Sequence, residues 1–129
     1  MDPVKVLQRA YRDELLDALR AEGAGQGVPY PHVRALLLEV ARRERAHAEA
    51  LAEALRRRGA PLPPTPKPEE GGWETLLRLL SEEGLDRAYY LESTFPDPEL
   101  EALFTRLGQE ERLNQEAVRK AVMLIGGGL

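Results

Sequence analysis

The stretch Val33-Arg34-Ala35-Leu36-Leu37-Leu38-Glu39-Val40-Ala41-Arg42-Arg43-Glu44-Arg45-Ala46-His47-Ala48-Glu49-Ala50-Leu51 decides how this chain folds. Apolar side chains recur at Val33, Leu37 and Val40, and again at Leu51 and Ala54, in steps of three or four. That is the period of a helix with one apolar face. Carried through the gap, the same rhythm lands on Glu44 and His47. A carboxylate and an imidazole therefore occupy positions where the pattern calls for core.

Working outward, three further segments carry helical periodicity, and Pro- and Gly-rich stretches separate all four. The expected helices span about 3–22, 31–58, 73–95 and 98–125. Asp2-Pro3 and Asp97-Pro98 each pair a capping residue with proline at the first helical position. Gly23 is expected to stop the first helix, Gly59 to cap the second, and Pro96 to end the third. No segment alternates as a strand does. The expected class is all-α, one four-helix bundle spanning residues 1–129.

The connections restrict the topology. The turn around 23–30 and the corner Pro96-Asp97-Pro98 are short, so each joins an antiparallel pair. Between the pairs lies Gly59–Gly72, with prolines at 61, 63, 64, 66 and 68. Proline-rich chain is stiff and extended at about 3.1 Å per residue, so this segment can span ~40 Å, a full helix length. A simple up-and-down bundle needs only about 2–8 residues there. The expected arrangement is therefore a ferritin-like bundle with one long crossover between helices two and three.

Composition bounds the function. The 129 residues carry a net charge of −4 and no cysteine. The charge disfavours a general nucleic-acid or anionic-membrane binder. The missing thiols exclude disulfides, Cys-ligated zinc or iron–sulfur sites, and a Cys nucleophile. No apolar run approaches membrane-spanning length. Met1–Lys5 does not begin a signal peptide, so a cytoplasmic location is expected.

Helices one and four repeat the anomaly of helix two. The first has Val4, Leu7, Tyr11, Ala18 and Ala21 with Glu14 between; the fourth has Leu100, Phe104, Leu107, Val118, Ala121 and Ile125 with Glu111 and Asn114 between. Three helices thus place a glutamate in mid-stripe. A buried unpaired carboxylate costs several kcal/mol, and clustering like charges adds to that. Relief can come from protons, from a cationic partner such as protonated His47 or arginine, or from metal ions. Glu44-Arg45-Ala46-His47 has the spacing that puts both side chains on one helix face, within reach of one metal. Bundle cores holding two iron or manganese ions use one Glu from each of two helices and Glu-x-x-His from the other two. The competing reading is a buried Glu–His–Asn hydrogen-bond network without metal.

These segments resemble a known family. Val33–Leu51 is similar to the second helix of rubrerythrin-like proteins of the ferritin superfamily. Arg12-Asp13-Glu14-Leu15 resembles the first helix. Asp97–Phe104, with Gln109-Glu110-Glu111-Arg112, resembles the fourth. The resemblance implies a bundle around a di-iron or di-manganese carboxylate site, with Glu14, Glu44, His47 and Glu111 as ligands. It also implies redox chemistry with peroxide or oxygen. With no cysteine for a built-in relay, electrons would come from an external donor. The sequence departs from the family pattern twice. Asn114 stands where a histidine is expected and can offer only an amide oxygen. On helix three Glu82 and Glu83 are the candidate ligands, each followed seven residues later by a tyrosine as the family resemblance implies, yet the apolar face through Trp73, Leu77, Leu80, Ala88 and Leu91 is centred on Gly84, with Glu82 pointing away and Glu83 to the side. Either the helix shifts register there through a π-bulge or the third ligand is missing, so the site holds two metals, one, or none.

Other features read as structural. His32 is a solvated helix-start residue, and Arg56-Arg57-Arg58 offsets a helix dipole. Tyr11 is a core aromatic or a hydrogen-bond donor to Glu14, Trp73 is a core anchor, and Gly126–Leu129 is a frayed tail. Leu36, Leu38, Leu76 and Leu79 lie off the stripes and suggest a homodimer. The alternative to a metalloprotein is a metal-free bundle serving as a structural or interaction module.

Overall fold

Both Asp-Pro pairs start helices as expected. Asp2 Oδ1 accepts from the Val4 amide at 3.0 Å at the head of α1 (Pro3–Gln26). Asp97 Oδ1 accepts from Glu99 at 2.9 Å at the head of α4 (Pro98–Gly126). The second helix, α2 (Pro31–Arg57), ends at Gly59, whose φ of 64° is the left-handed conformation glycine tolerates best. There Gly59 donates to the Arg56 carbonyl and Ala60 to that of Leu55, each at 3.0 Å, closing the helix. The third helix is α3 (Trp73–Glu92). A computed structural model describes residues 2–67 and 73–126, with Trp73 as backbone only. The expected anchoring role of Trp73 and the tail at 127–129 lie outside the described residues, as does the Pro68–Gly72 part of the linker. Among the described residues there is no strand, and no helix is long and apolar enough to cross a membrane.

Two boundaries differ from expectation. The first helix continues through Gly23 to Gln26. Ala21 and Ala24 are buried, and a Cβ at Gly25 would stand 3.6 Å from Leu37 Cβ. Small residues let α1 lie close against α2, and that packing outweighs the weak helix propensity of glycine. At the other boundary, α3 stops at Glu92 rather than Phe95. Ser93 caps the end by donating its hydroxyl to the Tyr89 carbonyl at 2.6 Å. Phe95 then leaves the helix, with its amide held by Glu101 at 2.8 Å.

The helices form a square in which α1 touches α2 and α3, and α4 touches the same two. The backbones of the diagonal pairs, α1 with α4 and α2 with α3, stay apart, so that these helices approach each other only through side chains pointing to the bundle axis. One end of the bundle is an apolar cluster that includes Leu7 of α1, Leu51 and Leu55 of α2, Tyr90 of α3, and Phe104 of α4. Phe104 meets the rings of Phe95 and Tyr90 edge-on at 4.7 and 5.0 Å. The other end joins Ala21, Val33, Leu37, Leu76, Leu79 and Val118. Thus α1 and α4 begin at the Phe104 end, while α2 and α3 begin at the Val33 end. The chain leaving α2 must return along the whole bundle to start α3, which is the long crossover expected from the prolines. Its described part follows α1: Gln8 Nε2 donates to the Pro61 carbonyl at 3.0 Å, and Thr65 shares a groove with Leu15 and Leu19.

The buried face of α3 is not the expected one. Leu76, Leu79, Glu83, Asp86 and Tyr90 are buried, whereas Leu77 and Leu91 are exposed, as is Ala88. The helix is apolar in two phases one residue apart, and packing against α1 and α4 selects the other phase. It is continuous α-helix through Gly84, with no π-bulge. Leu76 and Leu79 therefore belong to the core and offer no dimer surface; Leu38 is exposed and Leu36 half-buried.

Candidate metal centre

Between the two apolar ends, each helix contributes two polar residues three apart: Glu14 and Asp17, Glu44 and His47, Glu83 and Asp86, Glu111 and Asn114. That spacing keeps both members of a pair on one helix face. Because α1 and α4 run opposite to α2 and α3, the pairs stack into two layers. The layer nearer Phe104 holds Glu14, His47, Asp86 and Glu111. The layer nearer Val33 holds Asp17, Glu44, Glu83 and Asn114. All eight are buried, five of them with no exposed surface.

The carboxylates converge. Ligand atoms of Glu14, His47 and Glu111 lie within 4.8 Å of one another. The same holds for Asp17, Glu44 and Glu83, and for Glu83, Asp86 and Glu111, so Glu83 and Glu111 tie the layers together. Eight carboxylate oxygens here are buried without a hydrogen-bond partner: both of Glu44, both of Glu83, and one each of Glu14, Asp17, Asp86 and Glu111. Ionised carboxylates only accept, so they cannot satisfy one another.

Few donors reach the cluster. His47 Nδ1 lies 2.9 Å from Glu14 and 3.1 Å from Glu111, while Nε2 lies 3.0 Å from Glu110 at the protein surface. Glu110 thereby orients the ring with Nδ1 facing inward. Arg20 Nη1 pairs with Asp17 Oδ1 at 3.2 Å. Arg43 Nη1 donates to Asn114 Oδ1 at 2.6 Å, leaving the Asn114 amide nitrogen without a partner.

Burial and mutual repulsion push Glu14, Glu44 and Glu83 well above the ordinary carboxylate range. Burial also raises Asp17 to about 6 and Asp86 to about 11, the latter helped by its hydrogen bond to Asp17. Glu111 moves the other way. Burial raises it, but the Glu83, His47 and Glu14 side chains facing it favour its charged form, outweigh that and hold it down to about 2. Without cations, burial favours protons on Glu14, Glu44, Glu83 and Asp86, while Glu111 favours its ionised form.

The structure brings Glu14, Glu44, His47 and Glu111 together from three helices. On α3 it places Glu83 in the cluster, while Glu82 is half-buried and in none of the three groups. Asn114 shares the layer of Asp17, but its oxygen is engaged by Arg43 rather than by the carboxylate groups. Tyr11 is half-buried in the groove beside the linker. The tyrosine beside Glu14 is instead Tyr90, and burial, reinforced by the charge of Glu14, raises its hydroxyl well above the usual range. Sequence reasoning missed Asp17 and Asp86. Their signal was present as a mid-helix Glu-x-x-polar pair that recurs on every helix, here as Glu14-Leu15-Leu16-Asp17 and Glu83-Gly84-Leu85-Asp86. His32 is exposed, as read from the sequence; Arg56, Arg57 and Arg58 pair with the carboxylates of Glu49, Glu53 and Asp97, and Arg58 also donates to the Ala54 carbonyl at the helix end.

In comparisons with protein-family models, curated proteins and solved structures, nothing matches this chain, so its function is argued from the site itself.

Proposed function

We propose that this protein is a metal-binding four-helix bundle whose central cluster holds two divalent cations and performs redox chemistry with peroxide or oxygen. The observation that carries the reading is the set of eight orphaned carboxylate oxygens converging, with one imidazole, from all four helices. The donor set fits hard to borderline divalent ions: six carboxylates and His47 match iron or manganese in charge and ligand type. Glu14, His47 and Glu111 would hold one ion, and Asp17, Glu44 and Glu83 the other, with Asp86 alongside. When bound, such ions supply reversible one-electron steps to an oxygen or peroxide substrate.

The chain's own residues supply the setting. Apolar clusters at both ends exclude water from the middle. Glu110 lies 3.0 Å from His47 Nε2 and turns Nδ1 inward, toward Glu14 and Glu111. Asp86 and Tyr90 hold protons beside Glu111 and Glu14 at neutral pH. With no cysteine in the chain, electrons come from an external donor. A ferritin-like relationship, a cytoplasmic location and a homodimer belong to the same proposal.

One observation favours the alternative of a metal-free structural or interaction bundle. Arg43 already occupies the Asn114 oxygen, and shared protons already offset part of the repulsion. The experiment that decides is anaerobic loading of chelator-stripped protein with Fe(II) or Mn(II), with ions per chain counted by mass spectrometry. Two ions per chain are expected, followed by peroxide consumption by the reduced protein given a chemical reductant. No retained ion removes the metal reading. Retained ions without peroxide or oxygen turnover remove the redox part alone.

A further inference from the structure

The two layers are not equivalent as ligand sets. The layer nearer Phe104 contains the cluster's one imidazole, at His47, beside Glu14 and Glu111. The layer nearer Val33 offers oxygen alone, from Asp17, Glu44 and Glu83. Its fourth position, Asn114, is turned away: the amide oxygen accepts from Arg43 at 2.6 Å. A second guanidinium, that of Arg20, lies 3.2 Å from Asp17. Both oxygens of Glu44 and of Glu83 nonetheless lack partners although neither residue has exposed surface, so this layer calls for a cation of its own. Imidazole favours borderline transition ions, whereas purely carboxylate sets suit hard ions such as Mn(II) and Mg(II).

Resting on the metal reading above, we propose that the centre is built for two different cations: a borderline ion of the Zn(II) or Fe(II) class at Glu14, His47 and Glu111, and a hard ion of the Mn(II) or Mg(II) class at Asp17, Glu44 and Glu83. Zn(II) outcompetes Mn(II) at most nitrogen- and oxygen-bearing sites, but its advantage is greatest where nitrogen is present. Limiting zinc with excess manganese therefore sorts the two ions between the layers.

The test uses chelator-stripped full-length protein given one equivalent of Zn(II) and an excess of Mn(II) without oxygen. The expected product carries one zinc and one manganese per chain by native mass spectrometry. Zinc is diamagnetic, so the manganese can be read by pulsed electron paramagnetic resonance. It should show no ¹⁴N coupling from an imidazole. The variant His47→Gln should weaken zinc binding by more than about 100-fold, beyond the range typical of outer-shell partners, while manganese still binds. Glu44→Gln should lose the manganese and keep the zinc. Zinc scattered over chains with none, one and two ions overturns the proposal, as does ¹⁴N coupling to manganese in the mixed form. A single ion per chain, of whichever kind, overturns it while leaving a mononuclear metal protein. No ion at all removes the underlying metal reading as well. Should either variant fail to fold, the wild-type stoichiometry and ¹⁴N measurement decide alone.

Discussion

The ends of this bundle and its middle obey opposite rules. At the ends, Leu7, Leu55, Phe104 and Leu107 at one pole, and Val33, Leu37, Leu79 and Val118 at the other, are wholly or almost wholly withdrawn from water. Burial of that kind drives folding at roughly 25 cal/mol per Å². In the middle, the same four helices bury six carboxylates that lack adequate partners. The ends hold the fold together, and the middle is tolerated because the ends do. A chain selected for stability alone would have no use for such a middle, which is why function belongs there.

The largest expected effect breaks an end. Phe104 sits edge-on to both Phe95 and Tyr90 and is almost fully buried. Phe104→Ala should lower stability by about 3–5 kcal/mol, by the same amount with or without metal. Chemical denaturation monitored by helical circular dichroism measures it. A loss below about 1 kcal/mol would mean that the Phe104 end is not what carries the fold.

Breaking the middle should have the opposite sign. Glu44→Leu replaces a buried, unpartnered carboxylate by an apolar side chain of similar size. In metal-free protein it should raise stability by about 1–4 kcal/mol, as replacement of buried ionic groups often does. The same variant should lose most of the thermal stabilisation that Mn(II) gives the native protein. If Glu44→Leu is as damaging as Phe104→Ala in metal-free protein, the contrast between ends and middle collapses. If native and variant respond identically to Mn(II), Glu44 is no ligand.

Protons sharpen the same contrast. Burial raises Asp17 from 3.8 to about 6, so the stability linked to it is fully present below 3.8 and is lost as pH rises through about 6. Glu14, Glu44 and Glu83, also raised, act in the same direction. Glu111, lowered to about 2, acts oppositely: its contribution is present above 4.5 and lost as pH falls through about 2. Metal-free protein should therefore be most stable near pH 4. Between pH 4 and 7, Asp17 alone accounts for roughly 2 kcal/mol, or about 8 °C in melting temperature. Bound Mn(II) should restore much of that at pH 7, with proton release on loading. Thermal melts across pH with chelator, and again with Mn(II), would show it. A metal-free protein that grows steadily more stable from pH 4 to 7 would contradict the protonated middle.

What was legible in the sequence follows the same division. The stripes of α1, α2 and α4 have one apolar phase each, so their cores, and the polar intruders Glu14, Glu44, His47 and Glu111, could be placed by counting. The five prolines gave the crossover, because extended chain has a known reach. Helix α3 defeated counting, since Leu76, Leu77, Leu79 and Leu80 fill two phases. The choice between them lies in its neighbours, which no local pattern contains. The contact between Arg43 and Asn114 was illegible for the same reason: the two are 71 positions apart, and arginine on a polar helix reads as solvated. Asp17 and Asp86 are different, for their motif was there to be read once every helix is compared with every other.

The smallest effect tests the middle and the Phe104 end with one substitution type. Gly84 lies in the middle of α3, and a Cβ there would meet only the Gln115 side-chain amide, at 3.2 Å. That group ends a flexible side chain and can move aside. Alanine also favours helix over glycine by about 0.5–1 kcal/mol, so Gly84→Ala should stabilise by roughly that amount. Gly108, one position past the core residue Leu107, has no such room. Its Cβ would stand 2.8 Å from Leu91 Cδ2 and 3.2 Å from Tyr90 Cβ. Leu91 is half exposed and can turn away, but Tyr90 Cβ is fixed to the backbone of α3. The helices must part, and overpacking of this kind typically costs about 1–3 kcal/mol, more than the gain in helix propensity. Gly108→Ala should therefore destabilise where Gly84→Ala stabilises. If both raise the melting temperature, α3 and α4 are not in close contact at Gly108, and the Phe104 end is looser than its buried surface implies.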